Sequence, residues 1–367
     1  MTAERTPATS LPSTADTAGS VPAKTYPAYA RPWWRRVLLT RETGIVALVV
    51  LVSMWGYSNI PYFGDTLTLT YLLLDIATIM LIALPMTLVI ITGEIDLSVA
   101  SVVGLSSAVL GLLHEQGLDI TTSALIALVV GLICGAFNGF LVAYVGLPSL
   151  AVTIGTLALY RGVAVGLLGT NAVTGFAQDW TKRASQIIGD TGIPSVTLLL
   201  VALAVVFGVL LHFTSFGRGI YDIGLSTEAA QFSGVNVQRT KFILFCLTGV
   251  VSALAGIYFT LRFGSARGDN ATGLELQVIA AVLLGGVSIF GGRGKLVGVI
   301  AGVLLIGVIS SALRLQGVTV NVINIIIGLL LVLSVISTTV LAWASTRTAR
   351  RLRTNAPQKT PSSVTSQ

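Results

Sequence analysis

Charge is what this chain has least of. Only 10% of its 367 residues are Asp, Glu, Lys or Arg, against roughly a quarter in soluble globular proteins. Histidine is limited to His114 and His212, and cysteine to Cys134 and Cys246, both inside apolar runs. These shortages exclude a disulfide framework, a Cys/His metal site and a histidine-based nucleophile, and the cysteines read as small core residues. A phosphate-cradling P-loop is missing too. It needs Gly, four residues, Gly-Lys and then Ser or Thr. Around Gly292-Arg293-Gly294-Lys295, Ile289 stands at the first glycine position and Leu296 at the hydroxyl position. The sequence therefore predicts no catalytic residue, no metal site and no cofactor bound by this chain. Any ATP-driven work would need a partner.

What fills the chain instead is apolar: 54% of residues, with 39 glycines, as suits helices packed closely in lipid. Ten apolar runs lie near 44–60, 71–91, 97–113, 121–145, 149–169, 194–214, 241–261, 274–291, 296–314 and 322–343. Each approaches the ~20 residues that span a bilayer as a helix. They are continuous rather than alternating, and backbone in lipid must satisfy its own hydrogen bonds, so helices are expected. The fold class predicted is an all-α polytopic membrane protein with about ten transmembrane helices over residues 41–345. Residues 1–40, rich in Thr, Ala, Ser and Pro, and the basic stretch 346–367 are expected to be disordered tails. No apolar core lies near Met1, which speaks against a cleaved signal peptide. Pro32-Trp33-Trp34-Arg35-Arg36 reads as an interfacial anchor.

Orientation follows from Lys and Arg. With the N-terminus inside, the tails and the loops after even-numbered runs hold sixteen of them, including Arg218, Arg239, Lys241, Arg293 and Lys295. The opposite side holds five: Lys182, Arg183, Arg262, Arg267 and Arg314. Both termini and the loop after the sixth run are thus expected in the cytoplasm. The net charge of +7 then reflects membrane orientation and not nucleic-acid binding.

Four polar interruptions stand out. The largest, GRGIYDIGLSTEAAQFSGVNVQRTK at 217–241, separates the sixth and seventh runs. Within it, 226–235 reads as a short amphipathic helix, with Ser226 as N-cap and Gly234 where the helix stops. Ser226, Glu228, Ala229, Ala230, Ser233 and Gly234 are the predicted contact set for a soluble partner, their small side chains letting the handle seat in a groove. Arg218, Arg239 and Lys241 are expected at the anionic inner leaflet. The second interruption, Thr92 to Ser98, is a turn in which Asp96 favours the positive end of the next helix. The third, Gly146-Leu147-Pro148-Ser149, opens the fifth run, where Thr153, Thr156 and Tyr160 share one stripe. Such hydroxyls glue helices or line a polar path. Together with Asn138, Asn321 and Asn324 they are the candidate path-lining groups. The fourth, the glycine-dense 284–295, is either close packing or backbone that must move. Three charges fall inside apolar runs: Asp75, Arg161 and Glu275. A buried charge needs a partner, so Arg161 is expected to pair with Asp75 or Glu275. The long connection 170–193 is expected to hold a short helix near 176–188.

The stretches ITGEIDLSVASVVG (91–104), NGFLVAYVGLPSLAVTIGTLALYRG (138–162), GRGIYDIGLSTEAAQFSGVNVQRTKF (217–242) and LLGGVSIFGGRGKLVG (283–298) together resemble the permease subunits of bacterial ABC importers for monosaccharides. That family includes carriers of ribose, xylose, arabinose, galactose, rhamnose and autoinducer-2. The resemblance implies a fold similar to the vitamin-B12-importer type and a multi-pass protein of the bacterial inner membrane. It also implies a second permease subunit (homodimer or heterodimer), a cytoplasmic ABC ATPase that consumes the ATP, and an extracytoplasmic sugar-binding protein. Glu228-Ala229-Ala230 and Gly234 match the Glu-Ala-Ala, three residues, Gly spacing of the ATPase-gripped coupling helix. The Leu-Pro that usually follows is absent, and Glu94 stands where a glycine is usual. Other readings are a permease for branched-chain amino acids or nucleosides, an ion-coupled secondary transporter and a membrane enzyme. The near absence of midplane charge disfavours the secondary transporter; the missing catalytic constellation disfavours the enzyme.

Overall fold

The computed structural model describes residues 41–334 and Ile336. The expected tails, the anchor at Pro32–Arg36 and the end of the tenth run lie outside these residues. In chain order the helices are α1 (Arg41–Asn59), α2 (Thr66–Ile91), α3 (Val99–Glu115), α4 (Ile120–Ala143), α5 (Ser149–Leu168), α6 (Gln178–Ala184), α7 (Val196–Phe213), α8 (Ser215–Leu225), α9 (Thr227–Phe232), α10 (Val237–Phe263), α11 (Leu274–Leu284), α12 (Leu296–Leu315) and α13 (Val320–Ser334). Six of them, α2, α4, α5, α7, α10 and α12, are long and apolar enough to cross a membrane; α3, α11 and α13 are apolar but shorter.

Local chemistry sets the boundaries. Asp119 caps α4 by accepting from the Thr122 amide at 2.9 Å. Asn236 does the same for α10 through the Arg239 amide at 2.9 Å. Pro148 precedes α5, where its missing N–H costs nothing. The eighth run was expected to continue to 291, but α11 stops at Leu284, followed by Gly285 and then Gly286 in the left-handed region. The connection after α5 contains α6, inside the expected 176–188. It also forms a feature the sequence did not announce: β1 (Val173–Thr174) pairs antiparallel with β2 (Ser265–Ala266), in register Val173↔Ala266.

α2 is the core. It is apolar on every side, as a helix enclosed by others must be, and 94% of its most apolar stretch is buried. It packs against α7, α10, α11 and α12. A second cluster joins α3, α4, α5 and α10. Lipid gives no hydrophobic drive for helix association, so close backbone contact must do the work. A Cβ on Gly135 would collide with the Phe245 carbonyl, and one on Gly249 with the Gly131 carbonyl, so α4 and α10 meet backbone to backbone. In contrast, α4, α5 and α7 turn large apolar side chains outward, among them Ile133, Ile154 and Leu198.

Candidate functional site

The polar island folds into two short helices, not one. α8 was unforeseen: it begins at Thr214, whose hydroxyl accepts from the Gly217 amide at 3.1 Å, and it buries Ile220 and Ile223. Ser226, extended, ends α8 and caps α9 by accepting from the Ala229 amide at 3.3 Å. Gly234 then turns the chain at φ +84°, a conformation that costs side-chain-bearing residues, and the Val235 amide closes back on the Ala230 carbonyl at 3.0 Å. The helix start and stop are where the sequence placed them.

The orientation of α9 corrects the expected contact set. Ala230 is only 1% exposed and packs with Ile223 and Val237, so it holds the hairpin together and is not free for a partner. Ser226, Glu228, Ala229, Ser233 and Gly234 are exposed. Beside them stand two apolar side chains the sequence reading missed: Phe232, 93% exposed, and Leu225, 68% exposed. The signal for Phe232 was present, since it sits two residues past Ala230 and therefore on the opposite face of a helix at 100° per residue.

The base of this hairpin is fastened to two other turns. The Gly292 amide donates to the Ile91 carbonyl at 2.8 Å, and Gly224 sits against both atoms so closely that a Cβ there would collide with them. Tyr221 donates its hydroxyl to the Gly294 carbonyl at 2.7 Å, and burial, with the Glu42 carboxylate nearby, raises its pKa and keeps that proton on. Lys241 pairs with Glu94 at 2.5 Å, the two side chains 15% and 16% exposed. Lys241 is therefore an internal partner and not a lipid anchor, and Glu94, unexplained in the sequence, is the other half of the strap. The end of α2, the 92–98 turn, the 285–295 turn and the hairpin base thus form one knot.

The 92–98 turn is in turn clamped between α4 and α5. Asp96 Oδ1 accepts from the Ser98 amide (2.9 Å) and hydroxyl (2.6 Å). Burial pushes its carboxyl up to about 6 against the pull of those bonds. Asn138 Nδ2 donates to Ser98 Oγ at 2.8 Å, and the Tyr160 hydroxyl lies 3.2 Å from Asn138 Oδ1 and 3.0 Å from the Cys134 carbonyl. Thr153 donates to the Ile95 carbonyl at 3.2 Å, and Thr156 to the Thr153 carbonyl at 3.4 Å. All four of Asn138, Thr153, Thr156 and Tyr160 are buried among helices. Asn138, Thr153 and Tyr160 join α4, α5 and the 92–98 turn, while the Thr156 bond stays within α5. Asn321 and Asn324, by contrast, are exposed on α13.

At the opposite end, the predicted pairing of Arg161 is also corrected. Asp75 on α2 is bonded by Arg262 of α10 and, at 2.5 Å, by Arg314 of α12. Arg161 forms no ion pair among the described residues. Its guanidinium donates to three carbonyls: Gly268 at 2.8 Å, Asn270 at 2.7 Å and Ala100 at 3.0 Å. The reason lies in the connection after α10. It touches α3 beside Gly111 at Ala266, then returns to Gly104 at Asn270, seven residues or about 10 Å deeper at 1.5 Å per residue. The connection therefore re-enters the bundle before α11 begins. Its irregular backbone carries carbonyls that need donors, and Arg161 supplies them. Glu275, in the first turn of α11, keeps its Oε2 buried without a hydrogen bond among the described residues.

Comparison with known proteins bears on this arrangement. Residues 68–335, from α2 to the end of α13, match the family described as branched-chain amino acid transport system, permease component. The autoinducer 2 import system permease protein LsrD of Photorhabdus luminescens is 34% identical over 298 residues, covering 79% of this chain and 88% of that protein. Its counterpart in Salmonella typhi is 33% identical over 328 residues, covering 86% and 97%. No solved structure matches the chain. The chain belongs to this family of transport-system permeases, as the four motif stretches implied.

Proposed function

We propose that this chain is one of two membrane-spanning subunits of an ATP-driven importer, with its α8–α9 hairpin held by a separate cytoplasmic ATPase. The observation that carries the reading is the hairpin itself: two large apolar side chains, Phe232 and Leu225, offered to solvent on a hairpin fastened to the ends of α2, α11 and α12. Large exposed apolar groups on an otherwise polar element mark a docking surface, and fully burying each would contribute about 1.5–3 kcal/mol. A partner that moves the hairpin moves the knot, and with it three helices of the bundle. In this reading α1–α5, α7 and α10–α13 are ten membrane helices of the vitamin-B12-importer type. The hairpin and both tails, 1–40 and 346–367, face the cytoplasm, and an extracytoplasmic binding protein delivers the solute.

The solute class follows from the autoinducer 2 permeases this chain is similar to: a small hydroxylated molecule of monosaccharide type. The family description favours branched-chain amino acids as a second reading. Reconstitution decides. Proteoliposomes holding this chain, its ATPase and its binding protein should take up ribose or autoinducer 2 only with ATP. Leucine uptake in their place would support the second reading. Uptake by this chain alone, driven by a proton or sodium gradient, would overturn both.

A further inference from the structure

At the end remote from the hairpin, residues of α2, α10, α11, α12 and α13 line an open cavity of about 860 Å³, within the range of small-molecule sites. Part of its wall is the re-entrant connection, including Asn270 and Thr272. Irregular backbone at such depth is tolerated where it lines a cavity or is buried in protein. Arg161 fixes that backbone from behind.

Three guanidiniums and two carboxylates face the wall, and both carboxylates are taken. Arg262 and Arg314 share Asp75, and Arg267 pairs with Asp269 at 2.8 Å. What stays on offer is neutral. Gln277 Nε2 donates to Asn324 Oδ1 at 3.2 Å; this single bond leaves the Gln277 carbonyl and the Asn324 NH₂ with capacity to spare. Beside them Phe259 and Phe263 form an aromatic pair with centroids 4.6 Å apart. Paired amides that both donate and accept, next to aromatic faces, suit a ring that carries hydroxyls at its rim and C–H groups on its faces. A zwitterionic amino acid would need a free carboxylate for its ammonium group, and both carboxylates in the wall are already held by arginines. The geometry points to this cavity as a binding site for a neutral, hydroxyl-rich solute of monosaccharide size, with the Gln277–Asn324 pair as its polar contact and Phe263 as its apolar one. This deepens the importer reading and rests on it for the direction of passage.

Saturation-transfer NMR on the full chain in nanodiscs, with ribose and leucine as probes, tests the site without any ATPase. Ribose should receive saturation and leucine should not. Gln277→Leu with Asn324→Leu, and separately Phe263→Ala, should each weaken the ribose signal at least about fivefold, the effect of roughly 1 kcal/mol. Gln231→Leu on the hairpin should change nothing. Absence of ribose transfer, preference for leucine, or signals unchanged in both variants would overturn the site. ATP-driven ribose uptake in proteoliposomes separates the two readings. Wild-type uptake with unaltered half-saturation in the double variant would refute the site and leave the importer standing. Ribose binding with no ATP-driven uptake would refute the importer and leave the site.

Discussion

The Glu94–Lys241 strap gives the sharpest test of how the start of α10, where the hairpin runs into the bundle, is tied to the 92–98 turn. The two side chains meet at 2.5 Å and are 16% and 15% exposed, so water screens them far less than a surface pair. Exposed pairs contribute about 0–1 kcal/mol, whereas removing one partner of a fully buried pair costs about 3–5 kcal/mol. A pair this shielded belongs between, at about 1–3 kcal/mol. Glu94→Gln keeps the shape and removes the charge, leaving the Lys241 ammonium half-sequestered without an anion. Lys241→Gln does the converse. A double-mutant cycle on thermal stability should return a coupling energy of at least about 1 kcal/mol. In proteoliposomes, each single variant should hydrolyse more ATP per solute moved, because the start of α10, into which the hairpin runs, then loses its ionic tie to the 92–98 turn. The exchange Glu94→Lys with Lys241→Glu should recover part of both. Singles whose effects simply add, with an unchanged ratio of ATP to solute, would refute the strap.

Other expectations follow from the same geometry. Phe232→Ala should weaken ATPase binding about 10- to 150-fold, the loss of about 1.5–3 kcal/mol of apolar burial, without shifting the melting temperature of the subunit alone; equal affinity would remove Phe232 from the interface. Ala230→Leu should instead overpack Ile223 and Val237 and cost about 1–3 kcal/mol of hairpin stability. Gly234→Ala meets open space and should cost only the left-handed strain of about 1–2 kcal/mol; hydrogen exchange over 215–237 distinguishes the two. Asp96 predicts a pH effect. Its carboxyl is raised by burial from 3.8 to about 6, so the folded state holds the proton more tightly than the unfolded one. That contribution is fully present below about pH 4 and is lost as pH rises through about 6, on the order of 3 kcal/mol at most. Melting temperature should fall over that window in the wild type. The slope should flatten in Asp96→Asn, whose amide oxygen still accepts from Ser98; an identical slope would rule out Asp96 as its source.

The sequence disclosed whatever was encoded locally. Ser226, Pro148 and Gly234 mark helix ends because capping, a missing N–H and a positive φ are properties of single residues. The apolar runs disclosed the helices because lipid demands length. Partners far apart in the chain stayed hidden. Glu94 and Lys241 are separated by 147 residues. The partners of Arg161 are not side chains at all but backbone carbonyls, exposed only because the connection after α10 folds back into the bundle. Ala230 was misplaced for a related reason. A six-residue helix has an inner face only relative to what it packs on, and α8, which supplies that surface, read as part of one polar island. The hydroxyl stripe on α5 was seen correctly, but periodicity cannot say whether a stripe faces water or the 92–98 turn.

Two helices connect the features at the opposite ends. α2 carries Asp75 toward one end and the Ile91 carbonyl of the knot at the other, sixteen residues or about 24 Å apart. α12 carries Arg314 at the same ionic cluster, and the turn that precedes it supplies Gly292 and Gly294 to the knot. Both helices are largely buried, so neither can shift at one end without repacking its neighbours along its length. α2 does have a place to bend: Pro85 has no N–H to donate within the helix, which removes one turn-to-turn bond six residues from the knot. A displacement of the hairpin would therefore reach the cavity wall by two routes, through a hinged α2 to Asp75 and through α12 to Arg314. Since both arginines hold the same carboxylate, unequal motion of α2, α10 and α12 would strain that cluster first. The ionic cluster, and not the neutral amide pair beside it, is where movement of the hairpin would be felt in the cavity.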